Sequence, residues 1–250
     1  MPEITAIIPT FNEEAHISDA LDSVSWANEI IVVDSFSTDS TPEIVRNRKE
    51  VKFVQHEYEN SAAQKNWIIP QAKNEWIFLL DADERVTPEL KKSLLAFREQ
   101  GTEEFVGFWI KRQNFFLGQK LRFIWKGDAV VRLFHRDRCR YEDLAVHAEI
   151  TTEGKLGSLK GKLHHHSFLT LEKYRQKLER YAQWSARDYE PKTGKVNFYH
   201  LYLKPAYRFF KHYVLQLGIL DGRAGFIISR FMAWGVKRRY EIIRDQRKSS

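Results

Sequence analysis

The sequence contains almost no cysteine. One residue in 250, Cys139, is a cysteine, which excludes internal disulfide bonds and zinc sites built from several thiolates. Cys139 lies in a basic stretch that matches no motif, and we interpret it as incidental. A chain without disulfide bonds suits a reducing compartment, so a cytoplasmic location is expected.

Long apolar runs are also absent. A bilayer-spanning helix needs about 18 or more consecutive apolar residues, and no such stretch occurs. The residues that follow Met1 form neither a basic region nor an apolar region with a small-residue cleavage site, so we expect no secretion signal. A peripheral position on a membrane surface stays open.

Negative charge is scarce at one end of the chain. The whole chain carries a net charge of +7, but residues 204–250 hold eleven Lys and Arg against three Asp and Glu. This tail therefore carries +8, and the residues before it carry −1. The basic character belongs to the C-terminal region and not to the rest of the protein.

The first half of the chain alternates short apolar runs with helical patterns. The patterns predict strands at 4–9, 30–33, 51–55 and 76–80, and helices at 12–23, 43–48 and 62–72. Strands with continuous apolar runs are buried on both faces. Their alternation with helices implies a Rossmann-like α/β fold with a mostly parallel sheet flanked by helices.

The second half has a different pattern. Further strands are predicted at 105–113, 129–135, 149–152 and 156–164, and they imply a mixed sheet in this part. Beyond residue 167 the apolar spacing becomes helical, and from residue 201 aromatic and basic residues interleave. We therefore predict an α/β domain over residues 1–168 and a helical appendage over residues 169–250.

Polar residues occur where the predicted parallel strands end. Asn12 follows the first strand, Asp34 the second and Asp81 the fourth. In open α/β sheets, ligands bind at this carboxyl edge. Asp34 can accept a hydrogen bond from a base or a ribose hydroxyl. Helix capping is the alternative role for Asn12, and it is the favoured role for Asp39.

Two carboxylates follow the predicted strand at 76–80, in the motif Asp81-Ala82-Asp83. The strand's period of two directs Asp81 and Asp83 to the same side, where both can reach one hard cation or its coordinated water. Such a cation would bridge a diphosphate. The alternative is an ordinary surface turn, because Asp and Glu often close strands.

The strand-end motifs, in this order, resemble the nucleotide-sugar domain of glycosyltransferase family 2, whose fold is called GT-A. Within the family, the chain is most similar to a subgroup of bacterial lipopolysaccharide core glycosyltransferases, the β-1,4-glucosyltransferases that modify the inner-core heptose. The features that carry this resemblance cover most of the chain and lie at 7–14, 31–41, 63–66, 76–84, 131–134, 145–147, 161–167, 174–181 and 218–226.

The resemblance implies a metal-dependent, inverting hexosyltransferase. It implies a UDP-sugar donor, with glucose considered first, and a divalent cation, Mg²⁺ or Mn²⁺. The donor-binding residues that it implies are Pro9, Thr10, Asn12, Glu14, Asp34, Gln64, Lys65, Asp81, Ala82 and Arg132. Lys65 or Arg132 would add positive charge against the leaving diphosphate.

Three residues are predicted to hold the cation: Asp83, Asp81 and His165. His165 lies in a run of three histidines at 164–166, and the residues that flank this run align it with a retained histidine of the subgroup. Imidazole joins carboxylates around Mn²⁺ in many proteins. The alternative for His165 is a structural role.

The catalytic base has two candidates. In the subgroup, the histidine that corresponds to His147 is followed by Glu, whereas here Ala148 follows and Glu149 comes one residue later. Asp143, in the Glu-Asp pair at 142–143, resembles the base used elsewhere in the family. Both Glu149 and Asp143 stay open, and pairing with a nearby arginine is the alternative for either.

The basic, aromatic tail suits contact with anionic membrane lipid or with a lipid-linked saccharide acceptor, at the cytoplasmic face of a bacterial inner membrane. Packing of the tail as a helical cap is the alternative, and nucleic-acid binding, for which no motif is present, is the third. Two other functions are kept. One is a phosphohydrolase resembling the haloacid dehalogenases, whose nucleophile loop is also Asp-x-Asp; the other is a nonenzymatic basic protein that binds nucleotides or nucleic acid.

Overall fold

A computed structural model of the protein describes residues 1–142, 149–168 and 170–249. The chain forms two compact units. The first consists of Met1–Arg112 and Gly127–His165, and the second of Gln113–Lys126 and the residues from His166 onward.

Eleven strands and seven α-helices make up most of the described chain. The strands are β1 (Ile4–Thr10), β2 (Glu29–Asp34), β3 (Val51–Gln55), β4 (Trp76–Leu79), β5 (Glu84–Val86), β6 (Phe105–Phe116), β7 (Gln119–Lys120), β8 (Ala129–His135), β9 (Arg140–Tyr141), β10 (Ile150–Thr151) and β11 (Lys155–Phe168). The helices are α1 (Ile17–Ser23), α2 (Thr41–Arg46), α3 (Ser61–Ile68), α4 (Pro88–Gln100), α5 (Leu171–Tyr189), α6 (Lys204–Phe210) and α7 (Gly222–Ser249).

The central sheet has the order β3-β2-β1-β4-β8-β6-β11-β5, with β7 paired to β6. The neighbours β3, β2, β1 and β4 run parallel, whereas β8 is antiparallel to both β4 and β6, and β5 is antiparallel to β11. A separate antiparallel pair joins β9 and β10. The predicted α/β fold, with a parallel half followed by a mixed half, is confirmed.

Two apolar clusters lie on opposite faces of the parallel half of the sheet. Along β4, Phe78 belongs to one cluster, while Ile77 and Leu79 belong to the other. Helices α1, α2 and α4 contribute to the first cluster and α3 to the second. Because both faces are covered, the strands need apolar residues at consecutive positions, which explains the continuous runs in the sequence.

Strand register brings the ends of β1, β2 and β4 to one edge of the sheet. Thr10 pairs with Asp34 at the last position of β1 and β2. Ile7 pairs with Leu79 at the end of β4, and the main-chain N–H of Leu80 donates to the carbonyl of Ile7. The loops that follow these strands therefore start side by side, as expected for the ligand-binding edge of a parallel sheet.

Helix α1 begins later than the sequence predicts. The predicted helix covers 12–23, whereas the observed one starts at Ile17. Asn12 has a left-handed φ of 55°, and its main-chain N–H donates to the hydroxyl of Ser37. A left-handed residue cannot continue a right-handed helix. The prediction for 12–16 was therefore wrong, because these residues bond to the loop after β2 instead.

Helix α4 was not predicted from the sequence. It follows β5 directly, and the hydroxyl of Thr87 caps it by accepting from the main-chain N–H of Leu90. Leu90, Leu94 and Phe97 form its buried stripe, at spacings of four and three. The start signals were present, since Pro88 occupies the first helical position after a capping threonine.

The second unit has its own core. One cluster is built around Phe116, Tyr174 and Ile228, and another around Tyr240. The start of α7 needs glycine, because a Cβ placed on Gly225 would overlap the main chain of residue 218. Within the part of the chain that the structure describes, none of the helices combines the length and the apolar character needed to cross a membrane.

Candidate active site

Asp34 is fully buried at the end of β2 and is held by several donors. Its carboxylate accepts from the main-chain N–H of Ser37 at 3.0 Å, from the Ser37 hydroxyl and from Nε2 of Gln55 at 3.1 Å. An ionised carboxylate has about four acceptor positions. Donors in the described part of the chain use three of these positions, and the bonds from Ser37 and Gln55 fix the direction in which the carboxylate points.

The loop after β1 is bonded to the loop after β2. Oδ1 of Asn12 accepts from the main-chain N–H of Thr38 at 2.8 Å, and Oε2 of Glu14 accepts from that of Ser40 at 3.0 Å. The main-chain N–H of Glu14 in turn donates to Asp39 at 3.1 Å. Asn12 and Glu14 therefore shape the loop instead of capping a helix.

Asp39 is the acid that stabilises this loop connection. It also accepts from the main-chain N–H of Thr41 at 3.0 Å, two residues further on at the start of α2. Burial alone would raise the pKa of Asp39, but the hydrogen bonds from Thr41 and Glu14 hold that pKa below its usual range. Its predicted capping role is consistent with this contact.

Thr10 lies beneath these loops with an unsatisfied hydroxyl. Its side chain is buried, and among the described residues its Oγ1 has no hydrogen-bond partner. Pro9 precedes it in β1 and pairs with Val33 of β2. A buried polar atom without a partner costs free energy, so a ligand or water bonded there would be favoured.

Helix α3 brings Gln64 and Lys65 to this edge of the sheet. Asn60 caps the helix by accepting from the main-chain N–H of Ala63, and the buried Gln64 donates to the hydroxyl of Ser35 at 2.6 Å. The Nζ of Lys65 lies 4.9 Å from the centre of the Tyr141 ring.

Lys65 is surrounded by ionised groups. Burial lowers its pKa from the usual value, while attraction to Asp81 acts in the opposite direction. Repulsion by Arg132 adds to the lowering. An anion bound next to Lys65 would oppose this lowering, because it favours the charged ammonium form.

Five charged residues form a network around the end of β4. Nη2 of Arg132 donates to Asp81 and, at 2.8 Å, to Glu84. Arg112 lies 3.5 Å from the same Glu84 oxygen and also makes a two-bond pair with Asp128, with both distances 2.8 Å. Arg132 and Glu84 are buried, whereas 36% of the Asp81 side chain is exposed.

This network controls the protonation of Asp81. Partial burial alone would raise its pKa, but the nearby Arg132 and Lys65 hold the pKa of Asp81 well below its usual range. The pKa of the Tyr141 hydroxyl is raised, chiefly by burial. Asp81 is therefore ionised, and Tyr141 is neutral, throughout the physiological range. Arg132 also retains a buried Nε without a partner among the described residues.

The motif Asp81-Ala82-Asp83 forms a turn and not a strand. Strand β4 ends at Leu79, and the main-chain N–H of Glu84 donates to the carbonyl of Asp81 at 2.9 Å. The expectation that strand period directs both carboxylates to one side was therefore wrong in its premise. The turn gives the two acids different partners, because Asp81 bonds to Arg132 while Asp83 faces His165.

Asp83 and His165 form a close pair. Oδ2 of Asp83 lies 3.4 Å from Nε2 of His165, and both side chains are mostly buried. The pairing of β5 with β11 places them, since His165 is directly opposite Glu84 in that register. Attraction from His165 also reaches Asp81. A carboxylate next to an imidazole is a donor set that Mn²⁺ accepts.

A metal ion needs ligating side chains that converge on one point. Within 1–142, 149–168 and 170–249, no group of three or more His, Cys, Asp or Glu side chains is arranged to hold a metal ion. Mg²⁺ and similar cations at nucleotide sites use one or two protein side chains and complete their coordination with phosphate oxygens and water. The Asp83–His165 pair is compatible with a site of that smaller kind.

Of the two candidate bases, Glu149 lies within the described residues and Asp143 does not. Glu149 is exposed and stands before β10, where its carbonyl accepts from the main-chain N–H of Glu142 at 3.0 Å. Its own main-chain N–H lies 3.3 Å from the Glu142 carboxylate. Asp143 and His147 lie outside the described residues. The choice between Glu149 and Asp143 stays a prediction.

Sequence reasoning missed three residues of this site. Glu84, Arg112 and Tyr141 were not among the predicted site residues, yet Glu84 joins both arginines and Tyr141 lies under Lys65. Glu84 directly follows the Asp-x-Asp motif, which was a usable signal. Arg112 and Tyr141 come from β6 and β9, and only the antiparallel half of the fold brings them to this edge.

Comparison with known proteins gives a family assignment. The profile of the family described as Glycosyl transferase family 2 matches residues 5–150. The lipopolysaccharide core biosynthesis glycosyltransferase LpsC of Rhizobium meliloti (strain 1021) is 29% identical over 236 residues, which are 90% of this chain and 85% of that protein. The uncharacterized glycosyltransferase RT0209 of Rickettsia typhi is 25% identical over 246 residues, 94% of this chain and 84% of that protein.

Solved structures agree on the fold. The mannosyltransferase PcManGT from Pyrobaculum calidifontis, in complex with GDP-Man and Mn²⁺, has a TM-score of 0.51 at 18% identity and covers 99% of this chain and 87% of its own. S. aureus TarS has a TM-score of 0.50 at 14% identity, with 98% and 55% covered. The expected GT-A fold is confirmed by these likenesses.

The assignment also decides between the hypotheses drawn from the sequence. The matched segment contains β1, β2 and β4 with all three strand-end motifs, so the Asp-x-Asp turn belongs to a glycosyltransferase domain and not to a phosphohydrolase loop. Because the family profile covers more than half of the chain and relatives align along nearly all of it, this protein belongs to glycosyltransferase family 2.

Proposed function

We propose that the protein transfers a hexose, with glucose considered first, from a UDP-sugar to a lipid-linked saccharide of the lipopolysaccharide core, with inversion at the anomeric carbon. The assignment of the sugar-donor site is carried by the cluster around Asp81, at the carboxyl edge of the sheet. Arg132 forms an ion pair with the Asp81 carboxylate, and Lys65 and His165 attract it. LpsC, which is named for lipopolysaccharide core biosynthesis, supports the acceptor class.

The nucleoside would bind on the β1 and β2 side of this edge. The carboxylate of Asp34 suits a base or ribose N–H or O–H, and the unsatisfied Thr10 hydroxyl lies in the adjacent strand. Asn12 and Glu14 hold the loop that borders this place, and Gln64 holds Ser35. Pro9 and Ala82 would contribute main-chain atoms to the binding site and help to define its shape.

The diphosphate would bind on the β4 side. Lys65 and Arg132 offer positive charge there, and the buried Nε of Arg132, which has no partner in the described part of the chain, could donate to a phosphate oxygen. Asp83 and His165, with Asp81 nearby, would hold a divalent cation, which when bound supplies charge neutralisation of the leaving diphosphate. PcManGT, whose complex contains GDP-Man and Mn²⁺, supports this choice of group.

The acceptor hydroxyl needs a base, and Glu149 or Asp143 would take its proton as the new glycosidic bond forms. The exposed carboxylate of Glu149 is accessible to a large acceptor. The bond to the nucleoside diphosphate breaks in the same step, and the positive groups beside Asp81 stabilise the developing negative charge on the diphosphate oxygen.

A lipid-linked acceptor requires that the enzyme reach a membrane. We place the protein on the cytoplasmic face of a bacterial inner membrane, as a peripheral protein. The basic and aromatic character of residues 204–250 supports this location, because anionic lipid attracts Lys and Arg close to its surface.

The donor half is tested by incubating the protein with individual nucleotide sugars, Mn²⁺ or Mg²⁺, and delipidated or intact lipopolysaccharide core, and measuring nucleoside diphosphate release. UDP-glucose with a divalent cation is expected to give turnover, and chelation with EDTA is expected to remove it. Asp83→Asn is expected to abolish transfer, while Asp137→Asn, an exposed acid paired with Arg136, is its control. Wild-type turnover by Asp83→Asn would overturn the assignment of the cation site.

A further inference from the structure

The second unit exposes an unusual amount of apolar surface in one segment. In the part of the chain that the structure describes, 22 large apolar side chains are exposed, and 12 of them lie between residues 198 and 226. A contiguous exposed apolar patch on a soluble protein marks a surface that binds something.

The backbone of this segment sets many of its apolar side chains along one line. Wide helical turns at Tyr199–Leu203 and Lys211–Leu215 flank α6. Exposed apolar residues recur at 199, 203, 207, 210 and 214, which is the spacing of one helical face. We call the exposed side chains of residues 198–220 the 198–220 surface.

The segment ends in an aliphatic tip. Leu217 has a left-handed φ of 56° and turns the chain into a short 3-10 helix, Gly218–Asp221. Leu215, Leu217, Ile219 and Leu220 are all exposed there, Leu215 at 60% and Leu220 at 58%. Aliphatic side chains cannot stack on bases, so their concentration at one tip favours a hydrocarbon phase over a nucleic acid.

The charge of the segment is of one sign. No Asp or Glu occurs between residues 191 and 220, whereas Lys204, Arg208 and Lys211 lie within that range. Asp221, the next acid, is buried and accepts from the main-chain N–H groups of Arg122, Phe123 and Ile124. The 198–220 surface therefore presents apolar groups with positive charge only.

The basic residues of the tail divide into two sets. Within the described chain, Arg208, Lys211, Arg223 and Arg230 form no ion pair with a carboxylate. Further along α7, Arg238 pairs with Glu179 at 2.9 Å and Arg247 with Glu190 at 2.9 Å. These two arginines of distal α7 therefore have carboxylate partners, whereas the four cations near the 198–220 surface have none among the described residues.

We propose that the 198–220 surface inserts into the outer part of an anionic phospholipid bilayer, with the aliphatic tip at 215–220 in the acyl layer and Arg208, Lys211 and Arg230 at the headgroups. This inference deepens the peripheral membrane contact of the proposed function and rests on it. It names the inserting segment and excludes the far part of α7 from the contact. An exposed aliphatic tip near cations that have no carboxylate partner among the described residues has the composition of an interfacial anchor.

The apolar part of the proposal is tested with the full chain and vesicles of phosphatidylethanolamine and phosphatidylglycerol, by co-sedimentation. Ile219→Ser combined with Leu220→Ser is expected to weaken vesicle binding at least about tenfold. Leu171→Ser, an exposed leucine on α5, is the matched control and is expected to bind like wild type. Equal binding by the double variant and the control would overturn the proposal.

The charge part uses a second matched pair. Arg208→Gln with Lys211→Gln is expected to lower binding to the anionic vesicles about tenfold and to leave the weak binding to phosphatidylcholine vesicles unchanged. Arg244→Gln with Lys248→Gln removes the same charge from the far end of α7 and is expected to have little effect. An equal loss in both pairs would show a diffuse attraction and contradict the assignment to the 198–220 surface.

Insertion itself is read from a fluorophore. Cys139 is the single cysteine and is buried, so Leu220→Cys provides the accessible thiol for an environment-sensitive label. The emission is expected to shift to shorter wavelength on addition of anionic vesicles, whereas the same label on Leu171→Cys is expected to stay unchanged. This readout needs no destabilising change, so it decides the question even if the serine variants fold poorly.

Two outcomes identify a different role. If wild type self-associates without vesicles, the double serine variant does not, and neither sediments with lipid, the surface is covered by a second copy and the proposal fails.

UDP formation from a UDP-sugar in solution is measured on every variant. Vesicle binding without UDP formation rejects the proposed function alone, and UDP formation without vesicle binding rejects the membrane surface alone.

Discussion

Arg132 and Glu84 form a buried ion pair in which Nη2 of the arginine donates to Oε1 of the glutamate at 2.8 Å. The same Nη2 also donates to Asp81, in the turn that follows β4. Glu84 thus anchors, from β5, an arginine of β8 that reaches the candidate diphosphate site. Loss of this pair is therefore expected both to destabilise the first unit and to displace Arg132 from the candidate site.

Glu84→Ala is expected to lower the free energy of unfolding by about 3–5 kcal/mol, because it leaves Arg132 buried with one partner fewer. Urea denaturation followed by circular dichroism measures this change. The control is Glu104→Ala, an exposed acid 3.6 Å from Lys155, whose loss is expected to cost less than about 1 kcal/mol. Equal effects of the two substitutions would contradict a structural role for the pair.

Arg132→Lys is expected to weaken UDP binding about tenfold or more. Lysine keeps the positive charge but cannot bond to Asp81 and Glu84 with one nitrogen while it directs another at a ligand. Isothermal titration with UDP and Mn²⁺ measures the affinity. Arg136→Lys, at the residue that follows β8, is the control and is expected to bind UDP like wild type. Unchanged affinity in Arg132→Lys would remove this residue from the donor site.

The two candidate bases are separated by Glu149→Gln and Asp143→Asn. Replacement of the true base is expected to lower the turnover number by about 100-fold or more while leaving UDP affinity unchanged, because the base acts on the acceptor and not on the donor. The other substitution is expected to retain turnover. If both variants keep wild-type turnover with an acceptor, neither residue is the base.

Asp221→Asn is expected to destabilise the second unit by about 2 kcal/mol. The carboxylate accepts from the main-chain N–H groups of Arg122 at 2.7 Å, Phe123 at 3.0 Å and Ile124 at 2.8 Å. An amide offers one oxygen and turns an N–H₂ donor toward these donors. Differential scanning calorimetry with Asp245→Asn, an exposed acid, as control measures the loss; no difference between the two would show that the loop at 121–126 is held by other contacts.

Much of the donor side was predictable because it depends on local pattern. Buried parallel strands require continuous apolar runs, so β1, β2 and β4 and the polar residues after them were located correctly. Asp34 is the last residue of β2, and its burial agrees with a binding role at the sheet edge. Helix α1 was predicted too long, since the left-handed Asn12 bonds to a loop 25 residues away, and periodicity carries no information on such a contact.

The acceptor side and the network at β4 could not be derived in this way. Arg112 comes from β6, Arg132 from β8 and His165 from β11, and antiparallel pairing alone sets their positions relative to the Asp81 turn. The sequence does not distinguish a buried glutamate such as Glu84 from an exposed one. Its function depends on which cations the fold places around it.

The sequence by itself determined the fold class, the family and the sheet edge at which the candidate site lies, because burial on both faces of a parallel sheet and the residues at the strand ends depend on local sequence order. Only the tertiary structure decided that Asp81 bonds to Arg132 while Asp83 faces His165, since a turn gives neighbouring side chains independent directions. It likewise paired Arg238 and Arg247 of distal α7 with Glu179 and Glu190, and it left Arg208, Lys211, Arg223 and Arg230 without carboxylate partners among the described residues. The net charge of a segment follows from its composition, whereas the formation of ion pairs depends on the distances between charged groups in the folded protein.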